Sequence, residues 1–136
     1  MNIIVKVTIN APIEKVWDAY TQPEDIKQWN AASDDWHTTS SQVDLRVGGV
    51  FSSRMEAKDG SFGFDFSGTY TKIIPHEVIE YTFGHRTATV EFNPSPSGVT
   101  VKVSFVPESE HSNEQQEAGW QAILNRFAKH VESKLR

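Results

Sequence analysis

Apolar and polar residues alternate through the middle of the chain, over residues 36–107. Successive side chains of a β-strand point to opposite faces, so a period of two gives each strand one apolar and one polar face. This pattern is typical of antiparallel strands that pack one face on a core and present the other to water. Glycine-rich and proline-rich turn signals divide the stretch into lengths that accommodate six strands.

Aromatic side chains recur on the apolar faces of these strands. Phe62, Phe64, Phe66 and Tyr70 share one face of a predicted strand, and Asp59-Gly60 before it predicts the turn of a β-hairpin. The same parity groups Ile79 with Tyr81 and Phe83, Ala88 with Val90 and Phe92, and Val99 with Val101, Val103 and Phe105. Together the strands predict one continuous apolar face that another element must cover.

Helical spacing appears on both sides of this stretch. Residues 3–9 alternate and predict a first strand, after which Ile13, Val16 and Tyr20 fall on one face of a helix. Pro23 fits the first turn of a second, shorter helix. The longest helix is predicted over residues 115–135, with an apolar stripe of Trp120, Ile123, Leu124, Phe127, Val131 and Leu135.

The element order β-α-α-β6-α predicts an α+β fold, as a single domain over residues 1–136. We expect a curved seven-stranded antiparallel sheet that wraps around the long C-terminal helix. Gly48, Gly49, Gly63 and Gly68 are candidates for the bends of this sheet. One strand edge, residues 99–105, is predicted to face outward, where it would allow pairing with a second copy in a homodimer.

Bulky side chains on a concave sheet and on its facing helix can enclose a pocket of the roughly 300 Å³ or more typical of small-ligand sites. We therefore predict a cavity between the sheet and the helix, with Trp29 and Trp36 near its mouth. The alternative is a close-packed interior in which the same rings interdigitate. The other residues predicted to line the cavity are Phe51, Met55, Phe64, Phe66, Tyr70, Tyr81, Phe83, Phe92, Trp120, Leu124 and Phe127.

Composition argues against several classes of function. The formal net charge of −5 opposes attraction to phosphates, so we expect no nucleic-acid partner. The chain has no cysteine and no stretch that approaches the roughly 20 apolar residues of a membrane span, and we expect a cytoplasmic protein. Neither a metal site nor a cofactor is expected, because no histidine pair has ligand spacing and no nucleotide-binding glycine motif is present.

Four polar residues are candidates for acid–base or orienting roles. Asp35 and His37 follow the short helices, where a carboxylate could hold the imidazole in one tautomer, although both also suit an exposed loop. Tyr81, like Tyr70, presents a hydroxyl from the apolar face, for a ligand or for a backbone partner. Arg86 could meet a ligand acid or form a rim salt bridge. No pair of these residues defines a catalytic site.

Several segments carry a family resemblance. Residues 11–29, 44–51 and 66–83, with Trp120 and Leu124, resemble the helix-grip (SRPBCC) superfamily of START domains, birch-pollen-allergen-like proteins and polyketide cyclases. Within it they are most similar to the branch of activators of the heat-shock chaperone ATPase (AHSA-like). The resemblance implies the same β-α-α-β6-α fold, with a cavity between sheet and long helix. It leaves activity open, because this fold supports many functions.

Three functions are consistent with these observations. The first is binding of a small hydrophobic or aromatic molecule, such as a lipid, a polyketide or a flavonoid-like compound, in the predicted cavity. The second is a cyclase-type or hydrolase-type enzyme that uses the same cavity. The third, implied by the resemblance, is stimulation of a heat-shock chaperone ATPase through surface contact with that partner.

Overall fold

The computed structural model describes residues 2–135 and contains the predicted elements in the predicted order. An α+β fold with a seven-stranded antiparallel sheet and a long C-terminal helix is thereby confirmed. The elements are β1 (Ile3–Ile9), α1 (Ile13–Thr21), α2 (Pro23–Trp29), β2 (Trp36–Val43), β3 (Val50–Ala57), β4 (Gly63–Ile74), β5 (Val78–Phe83), β6 (Arg86–Ser95), β7 (Gly98–Phe105) and α3 (Asn113–Lys134).

The strand order is β1-β7-β6-β5-β4-β3-β2, and every neighbouring pair is antiparallel. The prediction that residues 99–105 form an outward edge is wrong, because β7 lies between β1 and β6. Alternation could not reveal this, since β1 precedes β7 by about ninety residues and pairs with it only in the folded chain. The edge strands are β1 and β2.

The sheet bends where its pairing is irregular. Register shifts occur between Thr38 and Ser40 in β2 and between Tyr70 and Lys72 in β4, and such bulges increase twist and bend a strand. Gly68 of β4 lies opposite Phe51 of β3, and a methyl group at Gly68 would approach the Phe51 ring to 2.8 Å. The missing side chain therefore lets the Phe51 ring lie against the sheet.

Helix α3 packs against the β1 end of the sheet. The ring of Trp120 stacks on that of Phe105 at a centroid distance of 3.9 Å, and Phe127 is fully buried. The side chain of Gln121 pairs with the backbone of Lys6, since its Nε2 donates to the carbonyl at 2.9 Å and its Oε1 accepts from the amide at 3.4 Å. α3 thus also occupies hydrogen-bonding groups on the free edge of β1.

The start of α3 is set by a capping box. Ser112 Oγ accepts from the amide of Gln115, and the Gln115 side chain accepts from the amide of Ser112. The helix therefore begins at Asn113, two residues before the predicted start. It ends at Lys134, and Leu135, predicted as the last member of the apolar stripe, is 45% exposed.

A polar cluster joins α2 to α3. Lys134 Nζ donates to Asp25 Oδ1 at 2.6 Å, and His130 Nε2 lies 2.8 Å from the same oxygen. Burial alone would raise the pKa of Asp25, but the hydrogen bonds and positive charges of these two partners outweigh it and lower that pKa. The cluster therefore holds a carboxylate between the two helices.

The contact between Gly68 and Phe51 can be tested by Gly68→Ala. The added methyl group would also lie 2.4 Å from the carbonyl oxygen of Thr82, and we expect the free energy of unfolding to fall by about 1–3 kcal/mol in urea titrations. Gly119→Ala is the matched control, because a methyl group there has no neighbour within 4 Å and should stabilise α3 by about 0.5–1 kcal/mol. Equal stability of the two variants would contradict this account of the contact between Gly68 and Phe51.

Candidate functional site

A cavity of about 320 Å³ lies between the concave face of the sheet and the helices. Strands β3, β4 and β5 form its floor, α1 and α2 close one side, and α3 closes another. The interior is therefore not filled by interdigitating rings alone, which was the alternative that the sequence left open.

Nine of the thirteen residues predicted to bind a ligand line this cavity. Burial and aromatic contacts hold them in place: the Phe51 ring, for example, packs edge-on against Tyr81 at 4.9 Å. The nine are Trp29, Phe51, Met55, Phe64, Phe66, Tyr70, Tyr81, Trp120 and Leu124.

The other four, Trp36, Phe83, Phe92 and Phe127, lie outside the cavity lining. Phe92 and Phe127 are at most 2% exposed, because Tyr20 of α1 packs edge-on against both rings and Trp29 of α2 packs against Phe127. Phe83 packs between Phe66 and Trp120. Strand parity placed Phe83 and Phe92 on the correct face, but parity cannot distinguish a ring under a helix from one beside a void.

Trp36 belongs to a separate aromatic cluster on the surface. Its ring lies 6.0 Å from that of Phe62 and 5.9 Å from that of Phe64, so only Phe64 connects this cluster to the cavity. Phe62 was predicted to share the apolar face of β4, but it precedes the strand and is 62% exposed.

Ten further residues line the cavity, and nine of them were not predicted there. Ser53 could have been found, because it has the parity of Phe51 and Met55, whereas the contributions of α1 and α2 depend on how these helices dock. The ten are Tyr20, Thr21, Ile26, Asn30, Val43, Ser53, Ile79, Arg86, Val103 and Ile123.

The three tyrosines of the chain, Tyr20, Tyr70 and Tyr81, all line the cavity. No hydrogen bond within residues 2–135 uses their hydroxyl groups. In that part of the chain the only fully enclosed side-chain nitrogen or oxygen without a partner is Ser41 Oγ, so the hydroxyls of these cavity-lining tyrosines are not fully enclosed. The alternative, in which the hydroxyls of Tyr70 and Tyr81 form hydrogen bonds with backbone groups, is therefore not observed among residues 2–135.

These hydroxyls are held in the neutral form. Burial raises the pKa of Tyr81 well above its ordinary value, and the neighbouring Tyr20 and Tyr70 add to the shift. Burial, with the charge of Asp44, raises the pKa of Tyr70 to about 12, and burial likewise raises the pKa of Tyr20. Each hydroxyl can thus donate one hydrogen bond to a guest at neutral pH.

Among the residues of 2–135 that line the cavity, Arg86 alone is charged. Its Nη1 donates to the carbonyl of Val106 at 3.1 Å, and its guanidinium carbon lies 4.3 Å from the centre of the Phe83 ring. The Arg86 side chain is therefore held by a backbone group and an aromatic face rather than by a salt bridge.

The candidates Asp35 and His37 do not lie in the cavity. Both are exposed, Asp35 accepts a hydrogen bond from Ser33, and His37 pairs across the sheet with Glu56 of β3. Of the four residues considered for acid–base or orienting roles, Tyr81 and Arg86 are the two that line the cavity.

A group of potential cation ligands lies outside the cavity, in the segment before α3. Ligand atoms of Glu108, Glu110 and His111 lie within 4.8 Å of one another. Two oxygens of Glu108 are already engaged, because Oε1 accepts from the backbone amide of His111 at 2.7 Å and Oε2 lies 2.8 Å from Nδ1 of its ring. These contacts organise the turn into α3.

A curled antiparallel sheet that grips a C-terminal helix and leaves a cavity beside it defines the helix-grip class of protein. The family model described as "Activator of Hsp90 ATPase homolog 1-like protein" matches residues 10–132. The chain belongs to this family, and the AHSA-like resemblance is confirmed. No curated protein matches the sequence.

No helix within residues 2–135 is long and apolar enough to cross a membrane.

Solved structures agree with this assignment. An AHSA1-like protein from Aeromonas hydrophila is 45% identical over 98% of this chain and 94% of its own, with a TM-score of 0.93. A protein from Cytophaga hutchinsonii is 42% identical over 98% of this chain and 94% of its own, with a TM-score of 0.84. A protein from Nitrosomonas europaea, 21% identical over 99% of this chain and 96% of its own, shares the fold with a TM-score of 0.85.

The neutral state of the tyrosines can be followed by ultraviolet absorbance at 295 nm. We expect no tyrosinate signal as the pH of the folded protein passes 10, whereas the protein unfolded in guanidinium should titrate near the ordinary tyrosine pKa of about 10. The pKa values of these tyrosines are higher in the folded protein than in the unfolded chain, so their contribution to the free energy of unfolding is fully present below pH 10. That contribution is lost as the pH rises from 10 through the folded-state pKa values. A tyrosinate signal near pH 10 from folded protein would contradict the burial of these hydroxyls.

Proposed function

We propose that the protein binds a small hydrophobic or aromatic molecule, in the range of lipids, polyketides and flavonoid-like compounds, inside the cavity. The observation that carries this proposal is the cavity itself, with apolar walls and a few polar groups that converge on its interior. Small-molecule sites are typically lined in this way, with isolated polar groups that orient the ligand.

The size of the cavity narrows the range of ligands. Its volume of about 320 Å³ lies at the lower end of the roughly 300–1,000 Å³ that small-ligand pockets occupy. A compact ring compound suits this space better than a long acyl chain. Burial of apolar ligand surface against Phe51, Phe66 and Trp120 would supply most of the affinity, at roughly 25 cal/mol per Å² before the costs of association.

The family membership and the placement of the predicted residues support the same proposal. Trp29 and Tyr20 form one wall with ring centroids 5.3 Å apart, and Trp29 Nε1 donates to the carbonyl of Ala19 at 2.9 Å. The wall is therefore preformed, which reduces the entropy lost on binding.

We place this ligand binding in the cytoplasm as part of the proposal, since a chain without cysteine needs no oxidising compartment.

Cyclase or hydrolase chemistry has less support. Tyr81 and Arg86 line the cavity, but no carboxylate or imidazole among residues 2–135 lines it with them. An acid–base mechanism needs a group within hydrogen-bond reach that can exchange a proton near neutral pH, and Tyr81 has a raised pKa.

Binding can be tested with the neutral dye N-phenyl-1-naphthylamine, whose emission rises in apolar surroundings. We expect saturable enhancement by the wild-type protein and a higher melting temperature of the complex. Ser53→Phe should abolish enhancement, because Ser53 is 4% exposed and lines the cavity that the new ring would fill.

Ser52→Phe is the matched control, since Ser52 is the neighbouring residue of β3 and its side chain points to the opposite face. It should bind the dye as the wild type does. Absence of enhancement by the wild type, or equal loss in both serine variants, would contradict binding in the cavity.

A second candidate is stimulation of a chaperone ATPase, as the family description suggests. The specific observation in its favour is the aromatic cluster of Trp36, Phe62 and Phe64, in which Phe62 and Phe64 are exposed and Trp36 is half-buried. Surface aromatic groups of this kind are common in protein interfaces.

The measurement is the ATPase rate of an Hsp90-type chaperone with and without the protein. Stimulation that Phe62→Ser reduces, while dye binding persists, would support this function. An unchanged rate at saturating protein would dismiss it.

A further inference from the structure

Arg86 differs from the other arginines of the described chain. Arg46 pairs with Asp44, Arg54 with Glu56 and Asp65, and Arg126 with Asp34, all at the surface. Within residues 2–135, no carboxylate lies within salt-bridge distance of Arg86, whose contacts are the Val106 carbonyl and the Phe83 ring. The charge of Arg86 therefore lacks an oppositely charged partner among the residues that the structure describes.

The position of Arg86 makes that charge available to a guest. Arg86 and Phe66 line both the inner cavity and an outer groove formed by the β5–β6 turn and residues 106–109. Arg86 thus lies at the boundary between the apolar cavity and the polar outer groove. The two carboxylates of the outer groove, Asp65 and Glu108, are engaged by Arg54 and His111.

The apolar surroundings strengthen an ionic contact at this point. A charge pair beside low-dielectric walls is screened less than one in water, and a guanidinium offers paired donors that match a carboxylate. The remaining polar groups of the cavity do not oppose an anion: the tyrosine hydroxyls are neutral donors, and no Asp or Glu of the described chain lines the space.

We propose that the cavity takes organic acids, in which an apolar or aromatic body fills the space between sheet and α3 and a carboxylate pairs with Arg86. Tyr70 and Tyr81 then donate hydrogen bonds to oxygen atoms of the guest. This inference rests on the proposed binding function and adds the charge of the ligand to it.

The charge preference is measured first on the wild-type protein at pH 7.5. N-phenyl-1-naphthylamine is the bound reporter, and 2-naphthoate and 2-naphthamide compete for it, since they differ mainly in charge. We expect 2-naphthoate to displace the dye at a concentration about tenfold lower or more, the effect of one charge-assisted hydrogen bond.

Two variants then assign the preference to Arg86. Arg86→Gln removes the charge and keeps a donor for the Val106 carbonyl, and Arg86→Met keeps only an apolar stem. Both should equalise the two competitors, each compared with the dye affinity of the same variant. Arg46→Gln is the control, because it removes the same charge from an exposed loop and should preserve the preference.

The outcomes separate this inference from the function on which it rests. If the dye binds but both competitors displace it equally from the wild type, ligand binding stands and the acid preference is wrong. If Arg86→Gln weakens the dye and both competitors alike, Arg86 has a structural role only. If the dye and both competitors fail to bind the wild type, both proposals fail. The wild-type comparison remains decisive even if an Arg86 variant does not fold.

Discussion

The packing of α3 on the β1 end of the sheet is the contact on which the rest of the molecule depends. Trp120 stacks on Phe105, Phe127 is fully buried, and Gln121 bonds the backbone of Lys6 on the edge of β1. Among the strands, α3 makes its main backbone contacts with β1. Because the sheet curls away from the helix toward β3 and β4, side chains rather than backbone face each other there, and a cavity remains.

The aromatic side chains of this interior have two different roles. Phe92 of the sheet and Phe127 of α3 fill space between the sheet and the helices, whereas Phe51 and Tyr81 line the cavity. Both groups gain burial energy, so stability alone does not require the cavity. Close packing is the usual outcome in protein interiors, and a cavity of this size beside the helix is the observation on which the proposed ligand binding rests.

The electrostatics of the cavity follow from the same geometry. Tyr20, Tyr70 and Tyr81 come from a helix and two strands, and burial keeps their hydroxyls neutral. Arg86 lies at the start of β6, where the apolar lining meets the outer groove, and its guanidinium packs on the ring of Phe83. In the proposed ligand site, neutral donors and one cation would select guests by charge as well as by shape.

The secondary elements, their order and the apolar face of each strand can be predicted from the amino-acid sequence, because these depend on periodicity over a few neighbouring residues. The sequence also placed Phe51, Tyr81 and Trp120 at the cavity. Tertiary structure alone decided that β7 is interior, that Phe92 fills space and that Asp35 lies at the surface. The physical reason is that strand pairing, helix docking and the space between them depend on contacts between residues far apart in the chain, which no local pattern encodes.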